Sequence, residues 1–187
     1  WSVQVGSFAS IAIRIHVTFL LLFAYLIYLT EPKERVLEGL FIAAIFGCIL
    51  AHELAHALVA RLFGIQTTDI TLYPFGGIAL ITSQPTPRAE LAIALAGPLV
   101  NVGVAAGLLP FIDFAHLEIV SQAAAQDAAL TFKEKLFLAN LSIGIFNLLP
   151  ALPMDGGRVL RAILAIGNAS NPTQVAARVS KVLCVLM

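Results

Sequence analysis

Long apolar runs alternate with short polar breaks along this chain, a pattern that predicts a set of helices crossing a hydrocarbon layer. The main runs cover Ile15 to Leu29, Val36 to Phe63, Ala89 to Leu109 and Lys135 to Leu149, with shorter ones starting at Arg158 and at Val175. Glu31–Arg35 (EPKER) and Gln84–Arg88 (QPTPR) are polar loops between them. Two stretches differ in kind. Residues 3 to 16 alternate loosely and predict a short strand leading to the membrane. Thr67 to Thr82 alternates β-branched and aromatic residues around Pro74-Phe75-Gly76-Gly77, which predicts a hairpin. Open sheet edges are not tolerated facing lipid, so that hairpin is expected at the interface or lining a cavity within the protein. The pattern as a whole predicts an all-α polytopic membrane protein of about six transmembrane helices, with a small membrane-associated β-hairpin or sheet. One core spanning residues 1–187 is expected. Because it begins at Trp1 and stops at Met187 inside an apolar run, it is expected to be a trimmed part of a longer protein.

Composition agrees with that class. Of 187 residues, 59% are hydrophobic and 12% charged, with mean hydropathy +0.93; soluble domains carry about a quarter charged residues. Net charge is zero, so there is no basic footprint for nucleic acid. Cys48 and Cys184 lie in apolar helical runs, where a thiol behaves as a small hydrophobe, and they form no disulfide framework.

The chemistry concentrates at His52-Glu53-Leu54-Ala55-His56, an HExxH string inside an apolar helix. Histidines four apart lie one turn above each other on one face and can grip a single metal ion. Glu53 lies roughly 100° around the helix from His52, placed to reach a water beside the metal without ligating it. From Gly39 to Ala51 the only ionisable side chain is the thiol of Cys48. Ionisable groups in such a setting are costly and point to function. Arg61 is about 13 Å beyond His52 at 1.5 Å per residue, which places the histidines inside the hydrocarbon if Arg61 reaches the headgroups. Cys48, one turn before His52, is an alternative ligand.

A zinc site with two histidines needs a third protein donor. Asp155 stands in Pro150-Ala151-Leu152-Pro153-Met154-Asp155-Gly156-Gly157, a helix-breaking stretch tolerated at membrane depth only beside a cavity. It is the candidate third ligand, against the plainer reading of an N-cap for the next helix. Asn140, Gly144 and Asn147 form a polar stripe that faces protein or water and is the candidate route for water to the metal. Asn101 is a lone amide in apolar sequence, and Gly103 with Gly107 predicts tight helix contact. His16 is expected at the interface, and His116, Glu118 and Asp127 are expected to be solvated.

HELAH in a membrane helix, followed by Asn147-x-x-Pro150-x-x-Pro153-x-Asp155-Gly156-Gly157, resembles the site-2 protease family of intramembrane zinc metalloproteases. Gly97-Pro98-Leu99-Val100-Asn101 is similar to that family's third motif, and the Tyr73–Gly77 hairpin is similar too. The resemblance implies one Zn²⁺ per chain held by His52, His56 and Asp155, with Glu53 as general base and Asn147 facing the oxyanion. It implies cleavage of a single-pass membrane protein, such as a membrane-anchored transcription factor or anti-sigma factor, near the cytosolic face of a bacterial-type or organelle membrane. The connection over residues 63 to 90 is too short for the PDZ insertion some members carry, and a CBS pair appended in others would lie beyond Met187.

A transmembrane substrate must unwind before its carbonyls can be attacked, and the unwound strand then needs hydrogen-bond partners. Phe75, Gly76, Gly77 and Ile78 of the hairpin, with Asn101, are the candidate substrate-binding residues, the hairpin supplying a sheet edge. The competing class is a transporter or channel whose buried Asn101, Asn140 and Asn147 bind an ion or solute. An inactive relative is a third reading, against which the intact Glu53 argues. Arginines and lysines split five against four between the two sides, which leaves orientation open.

Overall fold

The computed structural model describes every residue except Phe75, Thr82, residues 123–129 and Met187. Two strands, β1 (Ser2–Phe8) and β2 (Ile11–His16), open the chain and lead into α1 (Val17–Leu29) and α2 (Arg35–Leu62). The hairpin follows as β3 (Thr67–Tyr73) and β4 (Gly76–Ile81), then α3 (Pro87–Leu108) and α4 (Phe114–Gln122). α5 (Phe132–Asn147), α6 (Asp155–Ile166) and α7 (Pro172–Leu186) complete the described residues. The fold is therefore mostly helical with a four-stranded sheet, ordered β1-β2-β3-β4.

The sheet is larger than the pattern predicts. Residues 3 to 16 form two antiparallel strands rather than one, turning through Ala9 (φ 49°) and Ser10 (φ 65°). Both turn residues lie in the left-handed region that a two-residue hairpin of this twist demands, but neither is the glycine or asparagine that signals it. β2 then pairs parallel with β3 from Ala12↔Asp69 to Ile15↔Leu72, with α1 and α2 as the crossover between them. Ile11, Ile70 and Leu72 of the sheet are buried against Ala57 of α2.

α2 has 28 residues and is about 42 Å long, ample to cross a membrane. It ends where Gly64 adopts φ +76°. There the Gly64 N–H donates to Arg61 O (3.0 Å) and the Ile65 N–H to Ala60 O (3.1 Å), the paired bonds of a Schellman stop. Ile65 then folds back into a buried cluster with Ala60, Ala89 and Ile93, tying the end of α2 to the start of α3. Among the described residues, Arg35–Leu62 and Pro87–Phe111 are the helices long and apolar enough to cross a membrane. α1 has 13 residues and α5 has 16, both short of the roughly 20 that a full span needs.

α3 is the hub, packing against α2, α5 and α6. Its close approaches differ from expectation. A Cβ at Gly103 or Gly107 would meet nothing within 4 Å, whereas one at Gly144 of α5 would lie 3.2 Å from Val102 Cγ2 and one at Gly97 would strike the histidines of α2. α5 is fixed at its start by Glu134, which accepts from the Thr131 N–H at 2.8 Å and from His116 Nδ1 at 3.0 Å. His116 is thus hydrogen-bonded to Glu134 and half-buried rather than solvated, Glu118 is exposed, and Asp127 lies outside the described residues. His16 caps α1 by accepting from the Thr18 N–H and stacks on Tyr73.

Candidate metal centre

His52 and His56 are both buried on the face of α2 turned towards α3 and α6. Their Nε2 atoms lie 3.0 Å apart, and each is 3.1 Å from Asp155 Oδ2. Three donors from two helices thus form a nearly equilateral triangle. For a triangle of that size a point about 2.1 Å from every corner exists just off its plane, so a zinc ion with ordinary bond lengths fits. Two imidazoles and one carboxylate are also the donor set of catalytic zinc sites, with a position left for water.

The far side of each ligand is held as well. His56 Nδ1 donates to Ile93 O at 2.6 Å, and His52 Nδ1 donates to Asn101 Oδ1 at 2.5 Å. Both rings therefore keep their proton at Nδ1 and turn a bare Nε2 towards the metal position. Arg158 Nη1 donates to Asp155 Oδ1 at 3.3 Å, which leaves Oδ2 as the oxygen facing the histidines.

Backbone packing sets the distance between these parts. A Cβ on Gly97 would fall 2.7 Å from His52 Cδ2 and would collide with both Nε2 atoms, so only glycine lets α3 come this near. The α6 end uses a similar device. Asp155 is the first residue of α6, with Met154 as its N-cap. Cβ atoms on Gly156 and Gly157 would strike the backbone of Leu148, Leu149 and Ala151, so the glycine pair folds the start of α6 onto the preceding loop. Ser180 of α7 fixes that loop from behind, its Oγ accepting from the Leu152 N–H at 2.7 Å.

A cavity of about 1320 Å³ opens on the triangle, lined by Glu53, Gly76, Gly77, Asn147 and Arg158 among others. Glu53 is half-buried there, beneath β4: a Cβ on Gly77 would lie 2.9 Å from Glu53 Cδ and 3.2 Å from Oε1. Asn147 lines the cavity with one Nδ2 hydrogen donated back to Ile143 O at 3.0 Å. Glu90 of α3 pairs with Arg161 of α6 on the cavity's rim.

The residues singled out from sequence are therefore divided between two places. His52, Glu53, His56, Asp155, Asn147, Gly76 and Gly77 surround one cavity. Ile78 is in β4, paired with Thr71, and Phe75 lies outside the described residues. Asn101 is a correction: it is 0% exposed and lies behind His52, where it touches the ligand and no substrate can reach it. Asn140 is equally buried and hydrogen-bonded to Asn101, so the stripe it forms with Asn147 is no water route, and neither amide lines a transport path. Cys48 accepts from Asn140 and is outside the donor triangle. Gly97 is legible in the sequence only as part of a motif. Arg158, which holds Asp155 three residues away on the same helix, and the Glu90–Arg161 pair, whose members lie on different helices, carry no signal of their own.

Comparison with known proteins finds similarity along the whole chain. The model of peptidase family M50 matches residues 40–118 and 111–187. The chain is 34% identical to a zinc metalloprotease of Methanocaldococcus jannaschii, over 100% of this chain and 53% of that protein. It is 33% identical to stage IV sporulation protein FB of Bacillus subtilis, over 79% of this chain and 46% of that one. The chain thus spans about half the length of these relatives. Among solved structures it is similar to the site-2 protease from Methanocaldococcus jannaschii, with TM-score 0.65 and 32% identity, covering 100% of this chain and 82% of that one.

Proposed function

Since the chain belongs to peptidase family M50, that of the site-2 proteases, we propose that it is the core of a zinc endopeptidase that cuts a transmembrane segment of a membrane-anchored protein. The observation that carries this reading is the donor triangle of His52, His56 and Asp155 with a carboxylate, Glu53, beside it in one cavity. When bound, zinc supplies a Lewis acid that polarises the scissile carbonyl and acidifies water.

The side chains do the rest. Glu53 takes a proton from the attacking water as its oxygen adds to the carbonyl carbon. It returns that proton to the amide nitrogen as the carbon–nitrogen bond breaks, freeing an amine and a carboxylate. Asn147 offers its remaining Nδ2 hydrogen to the developing oxyanion. The free edge of β4, over Glu53, receives the unwound substrate as an added strand and satisfies its backbone groups. Substrates are expected to carry Gly, Pro or Asn near the cut, where helix propensity is low.

The same reading places the chain as a multi-pass core of about six membrane-crossing or membrane-entering helices forming one domain. α1, α2, α3, α5, α6 and α7 are the candidates. Arg158 and Arg161 line the cavity; a cytosolic orientation for the active site rests on the family resemblance, since the charge split between the two sides does not decide it. The partners are a single-pass substrate, such as an anchored transcription factor or anti-sigma factor, and the lipid bilayer.

The test is cleavage of a single-pass peptide in vesicles containing the purified protein. Glu53→Gln should keep its zinc while the rate falls about 10²–10⁴-fold, the usual worth of a general base. Cleavage by Glu53→Gln at the unsubstituted rate would contradict the mechanism. Loss of zinc as complete as in His52→Ala would make Glu53 a ligand instead.

A further inference from the structure

Two amides, Asn101 on α3 and Asn140 on α5, are each 0% exposed between apolar helices. The burial of such groups is costly unless every hydrogen bond has a use. A side-chain amide has an acceptor end and a donor end of nearly the same shape. If Asn101 turns its oxygen to His52 Nδ1, the ring keeps its proton there and Nε2 is a bare lone pair. If it turns its nitrogen instead, Nδ1 must accept, the proton moves to Nε2, and that atom can no longer hold a metal. Whatever fixes the direction of this amide therefore decides whether His52 is a ligand.

The structure supplies such a device. Asn101 Nδ2 donates to Asn140 Oδ1 at 2.9 Å. Asn140 is itself oriented, because its Nδ2 donates to Leu136 O at 2.9 Å and to Cys48 Sγ at 3.4 Å. A backbone carbonyl can only accept, so Leu136 O sets the direction of the whole series. Nδ2 of Asn140 must point to it, Oδ1 must point to Asn101, and Oδ1 of Asn101 must point to His52. His56 achieves the same result in one step, because its Nδ1 donates directly to Ile93 O. Both ligands thus end on a backbone carbonyl, one directly and one through two amides.

We propose that Asn140 is a positioning residue that acts through Asn101 to select the metal-binding tautomer of His52. The proposal rests on the reading of His52 as a metal ligand and adds to it a residue on a third helix, 88 positions along the chain. It makes a distinctive forecast, because an aspartate at position 101 has two acceptor oxygens and no wrong way round.

The experiment measures zinc affinity of the purified, detergent-solubilised chain by competition with a chromophoric chelator, and the visible spectrum of its cobalt-loaded form. Asn140→Leu should weaken zinc about 10- to 100-fold, as loss of support behind a ligand does elsewhere, and should alter the cobalt bands. Asn140→Asp, protonated in this buried setting, donates its hydroxyl to Leu136 O and still offers an oxygen to Asn101, so it should retain zinc to within a few-fold of the unsubstituted chain. The same Asn140→Leu change in an Asn101→Asp background should cost less than about twofold, because the two sites are coupled only through the amide's direction. An equal loss in both backgrounds would reduce Asn140 to packing and overturn the proposal, as would unchanged affinity of Asn140→Leu. Absence of zinc from the unsubstituted chain, with His52→Ala no different, would overturn the metal reading itself and the proposal with it.

Discussion

Gly97 controls how closely α3 approaches the metal ligands, and it does so by having no side chain. A single methyl there would occupy the space beside both Nε2 atoms. Because both helices are long and packed along their length, the methyl cannot be absorbed by one rotamer change; the histidines or the helix must move. Gly97→Ala is therefore expected to weaken zinc about 10- to 100-fold, with the helical circular dichroism unchanged. Chelator competition checks it, and undiminished affinity would show that the histidines have more room than the packing allows. Arg158 acts on the third ligand in the opposite sense, through a contact: by holding Oδ1 of Asp155 it leaves one oxygen for the metal.

The elements meet where small residues permit it, and β4 is the clearest case. Gly77 lets the strand lie against Glu53, so a Cβ at that position would push on the carboxylate and not on the metal ligands. Gly77→Ala should accordingly lower cleavage while zinc content stays at the unsubstituted level. A proline scan of residues 76–82 extends the test to strand addition, since alternate residues of an edge strand point their N–H outward and proline at those positions removes a donor from the edge. Proline at Ile78 or Leu80 should cripple cleavage without loss of zinc, and full activity at every position would leave the hairpin a packing element only.

This is also the scale at which the sequence stops being readable. HELAH within an apolar run announces both the helix and its chemistry, because a period of 3.6 and a ligand spacing of four are local properties. The hairpin around Gly76 and Gly77 is legible for the same reason, through its alternation and its glycines. The β1–β2 turn at Ala9 and Ser10 is not, because neither residue advertises the left-handed backbone it adopts. Asn101 looks like a substrate contact in isolation. Its place behind His52 follows from the packing of α3 between α2 and α5, which no spacing along the chain encodes.

At the scale of the molecule, three separate segments build the site: α2 contributes two histidines and a glutamate, α6 the aspartate, and α3 the surface against which the ligands rest. Ties between them are placed away from the metal. Glu90 and Arg161 join α3 to α6, Lys135 and Glu38 join α5 to α2 at 3.2 Å, and Ser180 joins α7 to the loop before Asp155. Such charge pairs are better held when water is scarce, and within a membrane they fix which helix lies beside which. The sheet on one side and the α6–α7 pair on the other leave the cavity between them, so the elements that carry the ligands also shape the space for substrate.

The central claim is that residues more than a hundred positions apart share one zinc ion. Metal analysis of the purified protein tests it directly, comparing the unsubstituted chain with Asp155→Asn. The account predicts one zinc per chain in the first and a clear loss of zinc in the second, since an amide oxygen is a poorer donor than a carboxylate. One zinc per chain retained by Asp155→Asn at equal affinity would remove Asp155 from the site and contradict the account.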